Sequence, residues 1–151
     1  MEALLKTKKV RAIGVSNFNI RRLESLLSTC SVVPATNQIE KHPYLQQPEL
    51  ADFCKKKGIL LEAYSPLGNN QTGEPRTVDD AKVHEVGKRL GNFQDFEIPP
   101  EEMAELNALE RHRRFNFPMR WGFDIFDEAG EEAVKKCAKD AGEENKTKFV
   151  V

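Results

Sequence analysis

Three short blocks of polar and aromatic residues carry the side chains best suited to bind a ligand. The blocks are Gly14-Val15-Ser16-Asn17-Phe18, Asn37-Gln38-Ile39-Glu40 and Ala63-Tyr64-Ser65-Pro66-Leu67-Gly68. Serine, asparagine and glutamine offer neutral hydrogen-bond donors and acceptors, a tyrosine ring offers a flat surface, and a Ser/Gly loop offers backbone N–H groups to an anion. Each block closes a short apolar run. The pattern therefore predicts a ligand site on loops at the carboxyl ends of parallel strands.

Strand-then-helix units position these blocks. Apolar runs at 10–15, 32–39 and 59–64 predict three strands. A helix capped by Asn19 follows the first strand, and a helix from Pro48 to Gly58 follows the second. The spacing is close to the repeat of a (β/α)8 barrel, and three units are too few to close one. We therefore predict an α/β fold, a partial (β/α)8 TIM barrel with about three parallel strands and helices. A doubly wound sheet is the competing architecture, although no G-x-G-x-x-G follows any strand.

The character of the chain changes near residue 91. Residues 1–91 carry a formal charge of +4 and residues 92–151 a charge of −5. A third helix is predicted to end at Gly91, and a Pro-started helix with Met103, Leu106 and Leu109 on one face follows. An aromatic and basic tail and a charged helix at roughly 131–141 complete the chain. We predict one domain over 1–151, divided into three β/α units and a helix (1–91) and a terminal helix with its tail (92–151).

Composition argues against several classes of function. Hydrophobic residues make up 39% and charged residues 31%, which is typical of a soluble globular protein. A net charge of −1 is too small to indicate nucleic acid or a membrane surface as partner. No apolar run is long enough for a membrane helix, and no signal peptide is evident. Cys30, Cys54 and Cys137 lie far apart, which favours a reduced, cytoplasmic setting.

The histidines and the basic tail have plain interpretations. His42, His84 and His112 lack metal-ligand spacing, so no metal is predicted and they are interpreted as surface or capping residues. The arginines of the tail could neutralise a phosphate, but we interpret them as solvated. These are Arg111, Arg113 and Arg114.

The three blocks closely resemble the aldo-keto reductases in content, order and spacing. The second block extends through Lys41-His42-Pro43-Tyr44, and the resemblance covers nearly all of residues 1–91. The ending is similar to the carboxyl-terminal segment of fungal glycerol or aldose reductases. It reads Arg114-Phe115-Asn116, then Trp121-Gly122 and Asp124-Ile125-Phe126. The resemblance implies strands five to seven of the barrel, their helices and the tail.

The resemblance also implies NADP(H) as cofactor and a small aldehyde or ketone as substrate. The positions matching Ser16, Asn17 and Gln38 hydrogen-bond the nicotinamide carboxamide, and the ring matching Tyr64 stacks on the nicotinamide. The loop matching Ser65, Leu67 and Gly68 passes along the pyrophosphate. The tail that carries Phe115, Phe117 and Trp121 is similar to a substrate-side loop over the active site.

Taken singly, the site residues have simpler interpretations. Ser16-Asn17 could be a turn with a helix cap, Gln38 a satisfied core amide and Tyr64 ordinary barrel packing. Glu40 and Glu62 lie near strand ends and leave a two-carboxylate glycosidase as a minor alternative. Together and in family order, the residues favour a cofactor site.

Two parts of the family pattern have no match in the sequence. In the family, the acid–base tetrad of Asp, Tyr, Lys and His lies on the first four strands, so we assign no catalytic residue. Between Gly91 and Asn92 the family has its eighth strand and the run that grips the 2′-phosphate, so we expect an internal deletion there. We therefore expect part of a reductase that is inactive alone. The alternatives are a non-catalytic module that binds nucleotide or a full-length reductase, and a chain that does not fold stably.

Overall fold

A computed structural model describes residues 1–69, 75–91, 97–116 and 139 of this chain. The described helices and strands follow one another as α1 (Ala3–Lys6), β1 (Val15–Ser16), α2 (Ile20–Leu27), β2 (Thr36–Glu40), α3 (Pro48–Lys57), β3 (Leu60–Tyr64), a short 3₁₀ helix (Thr77–Asp79), α4 (Ala81–Leu90) and α5 (Pro100–Asn107). None of the helices in these ranges combines the length and apolar character needed to cross a bilayer.

A three-stranded parallel sheet in the order β1-β2-β3 forms the centre of the fold. Ser16 lies beside Gln38 and Gln38 beside Glu62, so these three residues form one row across the sheet. Glu40 and Tyr64 form the last pair at the carboxyl edge. The prediction of about three parallel strands alternating with helices is confirmed.

The strands are shorter than the apolar runs predicted. β1 has two residues rather than six, and β2 begins at Thr36 rather than 32. Pro34 lacks an N–H group and cannot donate to a ladder, so regular pairing between the first two strands starts only beyond it. The Ala35 N–H group donates to the Ile13 carbonyl at 2.8 Å, which extends the contact between the two segments by a single bond.

Capping residues predicted from the sequence mark the start of α2 and both ends of α3. The Asn19 side chain accepts a hydrogen bond from the Arg22 N–H group at 2.9 Å at the start of α2. Pro48 is the first residue of α3, and Gly58 ends it with a φ of +71°. These interactions depend only on neighbouring residues, which explains why the sequence predicts them.

The last helix ends earlier than its apolar pattern predicted. Leu109 was expected on the face of α5, but the helix stops at Asn107 and Leu109 lies in the turn that follows. Beyond this turn, the Glu110 carboxylate accepts the N–H groups of Gln46 at 2.6 Å and His112 at 2.7 Å. Those bonds redirect the chain toward the loop after β2, and a continued helix could not make them.

The hydrophobic core lies between the sheet and helices α2 and α3. Its buried members come from all of these elements and are Leu23, Ile39, Leu50, Cys54 and Ile59. Ile39 points from β2 toward the helices, while its neighbour Gln38 points to the opposite face. On that opposite face the Leu60 side chain is 68% exposed. A parallel sheet is normally covered on both faces, and the described residues leave the second face uncovered at Leu60.

Candidate functional site

Four residues from the three blocks meet at the carboxyl edge of the sheet. The Ser16 hydroxyl donates to the Gln38 carbonyl at 3.0 Å, and the Asn17 N–H group donates to the same oxygen at 2.9 Å. The Tyr64 hydroxyl reaches from the end of β3 to Asn17 Oδ1 at 3.0 Å. The parallel register thus brings together side chains that are 22 to 47 residues apart in sequence.

The amide groups of this cluster are only partly used by the protein. The Gln38 side-chain nitrogen donates to Glu62 Oε1 at 2.7 Å. Within the described part of the chain, the Gln38 amide oxygen and the Asn17 amide nitrogen make no hydrogen bond. The cluster therefore has an open acceptor and an open donor, and a primary carboxamide ligand needs both.

Two of the candidate residues have strained backbones. Asn17 has a φ of +58° and Ser65 a φ of +49°, in the left-handed region that side chains other than glycine rarely adopt. Such a conformation costs on the order of 1 kcal/mol and persists only where surrounding contacts impose it. For Asn17 these contacts are the bonds to Gln38 and Tyr64. Lys8, Gln47 and His112 share this backbone conformation and lie outside the candidate site, so the conformation alone does not mark a ligand site.

The Tyr64 hydroxyl is a hydrogen-bond donor over a wide pH range. Burial raises the pKa of Tyr64 above 10.0, and the nearby Glu40 carboxylate raises it further. The hydroxyl therefore stays protonated at neutral pH and keeps its bond to Asn17. As a result, the position of the ring at the edge of the sheet is fixed.

The loop after β3 continues the site away from the sheet. The Gly68 N–H group donates to the Ser65 carbonyl at 2.9 Å and closes a tight turn. Gly68 has a φ of +79°, and a Cβ atom there would lie 2.9 Å from the Thr77 nitrogen. Only glycine fits between the turn and the 3₁₀ helix. Leu67, at the tip of the turn, is 61% exposed.

Glu40 plays a larger part than its sequence position indicated. Its side chain is fully buried and accepts the Phe115 N–H group at 2.6 Å and the Asn116 N–H group at 3.3 Å from each carboxylate oxygen. His42 Nε2 lies 3.1 Å from the same carboxylate. A carboxylate enclosed in this way has no room for a sugar, which argues against the two-carboxylate alternative. The only sequence signal for this role of Glu40 was its position as an acidic residue at the end of a predicted strand.

The interpretation of Arg114 as solvated and that of His42 as a surface or capping residue are both wrong. Arg114 was expected to be solvated, but it is 5% exposed and lies 3.9 Å from Glu40. His42, expected at the surface, is also 5% exposed because it packs against Glu40 and Phe115. Phe115, in the tail segment that the resemblance compares with a substrate-side loop, is completely buried between His42 and Tyr44.

Arg111 packs over the Tyr44 ring at 4.3 Å and lies 3.6 Å from Asp80.

No group of three acidic, histidine or cysteine side chains in the described residues could hold a metal. Phe117, Trp121 and Asn92, which adjoins the proposed deletion, lie outside the described ranges, as does the 131–141 helix apart from Lys139.

Asn116 connects the tail segment to the loop after β3. Its side-chain nitrogen donates to Ser65 Oγ at 3.2 Å, and its side-chain oxygen accepts from Asn69 at 2.9 Å. From the sequence, Asn116 stood out only as part of the Arg114-Phe115-Asn116 motif near the carboxyl end. The structure places it beside the candidate site.

Comparison with known proteins identifies the family of this chain. A model described as the Aldo/keto reductase family matches residues 1–116. A D/L-glyceraldehyde reductase of Hypocrea jecorina is 35% identical, with 89% of this chain and 53% of the reductase aligned. An aldehyde reductase of Saccharomyces cerevisiae is 52% identical, with 83% and 51% aligned. The chain thus spans about half the length of these relatives.

The glyceraldehyde reductase alignment runs over 175 positions, more than the 151 residues of this chain. The aligned span of that relative therefore includes residues for which this chain has no counterpart.

Solved structures show the same fold. An aldo-keto reductase complexed with NADPH matches with a TM-score of 0.71 at 27% identity, covering 85% of this chain and 53% of that one. An aldo-keto reductase from a deep-sea metagenome matches with a TM-score of 0.70 at 26% identity, covering 85% and 56%. The three strands and their helices are therefore part of a (β/α)8 barrel.

Proposed function

The chain belongs to the aldo/keto reductase family, and we propose that it forms the nicotinamide-binding part of an NADP(H)-dependent oxidoreductase that reduces small aldehydes or ketones to alcohols. The observation that carries this proposal is the cluster of Ser16, Asn17, Gln38 and Tyr64 at the carboxyl edge of the sheet. A solved relative with NADPH bound and relatives described as aldehyde and glyceraldehyde reductases support the choice of cofactor and substrate class.

In this proposal the amides of the cluster bind an amide of the cofactor. The Gln38 amide oxygen accepts from the carboxamide nitrogen, and the Asn17 amide nitrogen donates to the carboxamide oxygen. The Ser16 hydroxyl adds a third polar contact, and the Tyr64 ring supports one face of the nicotinamide. The bound cofactor supplies the hydride. The fixed position of the Tyr64 ring decides which face of the nicotinamide is exposed.

The loop after β3 is proposed to contact the cofactor pyrophosphate. Ser65, Leu67 and Gly68 form a tight turn that the Gly68 N–H group closes, and the Leu67 N–H group at its exposed tip suits a phosphate oxygen. The carbonyl substrate would lie beyond the nicotinamide, and Trp121 remains our proposed contact to it. These assignments extend the family's pattern to this chain residue by residue.

A non-catalytic role is the second candidate, and the two tyrosines favour it. Carbonyl reduction needs a proton donor as well as a hydride. The Tyr44 hydroxyl donates to Asp80 at 2.5 Å, and the Tyr64 hydroxyl donates to Asn17. These are the only tyrosines of the chain, and each has its hydroxyl engaged. We therefore infer, for this second candidate, a binding role of the described residues without the family's tyrosine acid.

Association with a full-length reductase is a further part of this second candidate. In the described ranges β1 and β3 are the edges of the sheet, and Leu60 is exposed on the face that carries Gln38. Unpaired strand edges and exposed apolar side chains favour pairing with another chain. Copurification of this chain with a tagged full-length relative tests the idea. A chain that remains separate argues against it.

The first experiment is a titration of the purified chain with NADPH, in which nucleotide fluorescence reports binding. Ser16→Ala is expected to raise the Kd about fivefold to tenfold, because it removes one hydrogen bond to the ligand. Ser28→Ala is the matched control, since Ser28 is also exposed but lies at the carboxyl end of α2, outside the cluster. The absence of saturable binding to the native chain would contradict the proposal.

Consumption of NADPH in the presence of an aldehyde separates the two candidates. Binding without consumption supports the non-catalytic role. Steady oxidation of NADPH by the purified chain shows that it reduces carbonyl compounds alone, and a proton donor other than the two tyrosines must then be sought.

A further inference from the structure

A continuous series of hydrogen bonds joins the buried Glu40 carboxylate to the loop after β3. The carboxylate holds the backbone N–H groups of Phe115 and Asn116. The Asn116 side chain then bonds Ser65 Oγ and Asn69. The strand, the tail segment and the loop are thereby connected through one residue.

We propose that Asn116 is a positioning residue that holds Ser65 and Asn69 in the conformation that receives the cofactor pyrophosphate, so that docking of residues 114–116 and cofactor binding favour each other. This inference rests on the proposed function for its ligand. It assigns a role to a tail residue whose side chain bonds Ser65 and Asn69 rather than the nicotinamide cluster.

The side-chain chemistry of Asn116 suits this role. Its amide nitrogen is the donor to Ser65 and its amide oxygen is the acceptor from Asn69, so both ends of the side chain are used. A second bond, from the Asn69 side chain to Ser65 Oγ at 3.4 Å, closes a small triangle of polar groups. An apolar side chain of the same size would break two sides of that triangle.

The backbone of Ser65 shows why such support is needed. Its φ of +49° is unfavourable for a serine, and the turn closed by Gly68 depends on it. The bonds to the Ser65 hydroxyl fasten the residue in this conformation. Loss of the Asn116 amide would let Ser65 relax toward ordinary backbone angles and move the N–H groups of the turn.

The other end of the series is firmly anchored. Phe115 is completely buried, and its N–H group lies 2.6 Å from Glu40. Arg114, on the other side of Phe115, is 5% exposed and close to the same carboxylate. Asn116 therefore extends from a fixed point, which is the condition for it to position a neighbouring loop.

The test combines amide hydrogen exchange with NADPH titration of the full chain. Asn116→Leu is expected to speed exchange of the Gly68 amide about tenfold without cofactor, and to raise the Kd for NADPH by a similar factor. Asn107→Leu is the control, because Asn107 is exposed at the end of α5. Reciprocity also requires NADPH to slow exchange of the Phe115 and Asn116 amides in the native chain but not in Asn116→Leu.

Each outcome decides part of the inference. Unchanged exchange at Gly68 in Asn116→Leu overturns it, whatever the cofactor does. Faster exchange with an unchanged NADPH Kd overturns the coupling. A native chain that does not bind NADPH overturns the proposed function and the coupling, while exchange at Gly68 still reports whether Asn116 holds the loop. Should Asn116→Leu fail to fold, Ser65→Ala removes the same bond from the loop side and is expected to show the same changes.

Discussion

Replacement of Glu40 by glutamine is expected to remove a large part of the stability of this chain. The carboxylate has no exposure to solvent and is bonded by two backbone N–H groups and by His42, with Arg114 at 3.9 Å. Glutamine has almost the same shape but offers one acceptor oxygen in place of two. Its NH₂ group would therefore face other donors.

The magnitude follows from the partners that are lost. Hydrogen bonds to a charged group contribute about 1.5–3 kcal/mol each, and removing one member of a buried ion pair costs about 3–5 kcal/mol. Glutamine at position 40 keeps one acceptor oxygen but loses the charge and the second acceptor. We therefore expect a loss of about 3–5 kcal/mol in the free energy of unfolding. Domains of this size have a total of about 5–15 kcal/mol, so the effect is large.

Urea unfolding followed by circular dichroism measures this loss. Glu62→Gln is the matched control, because Glu62 is exposed and a glutamine there can still accept from Gln38. The control is expected to change stability by less than about 0.5 kcal/mol. Exchange of the Phe115 amide gives an independent comparison at the site itself. If Glu40→Gln costs no more than Glu62→Gln, the buried carboxylate does not hold the tail and the reasoning is refuted.

Acid, glycine and alkaline perturbations give three more expectations. The hydrogen bond from Tyr44 holds the pKa of Asp80 below 3.8, so its stabilisation is present above that pH and lost as the pH falls further. Asp80→Asn should cost about 1–2 kcal/mol at neutral pH and flatten the acid limb of urea midpoints measured against pH. Gly14→Ala places a Cβ 2.3 Å from the Thr36 hydroxyl oxygen on the next strand and should lower the Tm. Gly87→Ala in α4 meets open space and should raise the free energy of unfolding by about 0.5–1 kcal/mol. Equal shifts of the Tm in the two variants would contradict this. Burial raises the pKa of Tyr44 and Tyr64 above 10.0, so their contribution to the free energy of unfolding is intact below pH 10 and lost at higher pH. Phenolate absorbance should therefore develop at higher pH in the folded chain than in the chain unfolded by urea.

The parts of the structure that depend on neighbouring residues were predicted well. Asn19, Pro48 and Gly58 act within one helical turn, so the ends of α2 and α3 could be predicted from the sequence. Strand lengths were predicted less well, because pairing depends on what the partner strand can donate, and Pro34 limits it. The roles of Ser16, Asn17, Gln38 and Tyr64 as cofactor contacts stay predictions. The structure adds that register brings them together and leaves an acceptor and a donor open.

The sequence by itself determined the family, the alternation of strands and helices and the residues of the candidate site, because periodicity, caps and linked motifs are local properties of the chain. Only the tertiary structure decided that Glu40, His42 and Arg114 are buried together and that Asn116 reaches Ser65. The Phe115 N–H group bonds a carboxylate 75 positions earlier, and no local pattern contains that contact. The physical reason is the cost of burying charge: a carboxylate, a histidine and an arginine look solvated one at a time, and burial becomes favourable only when folding supplies each with the others.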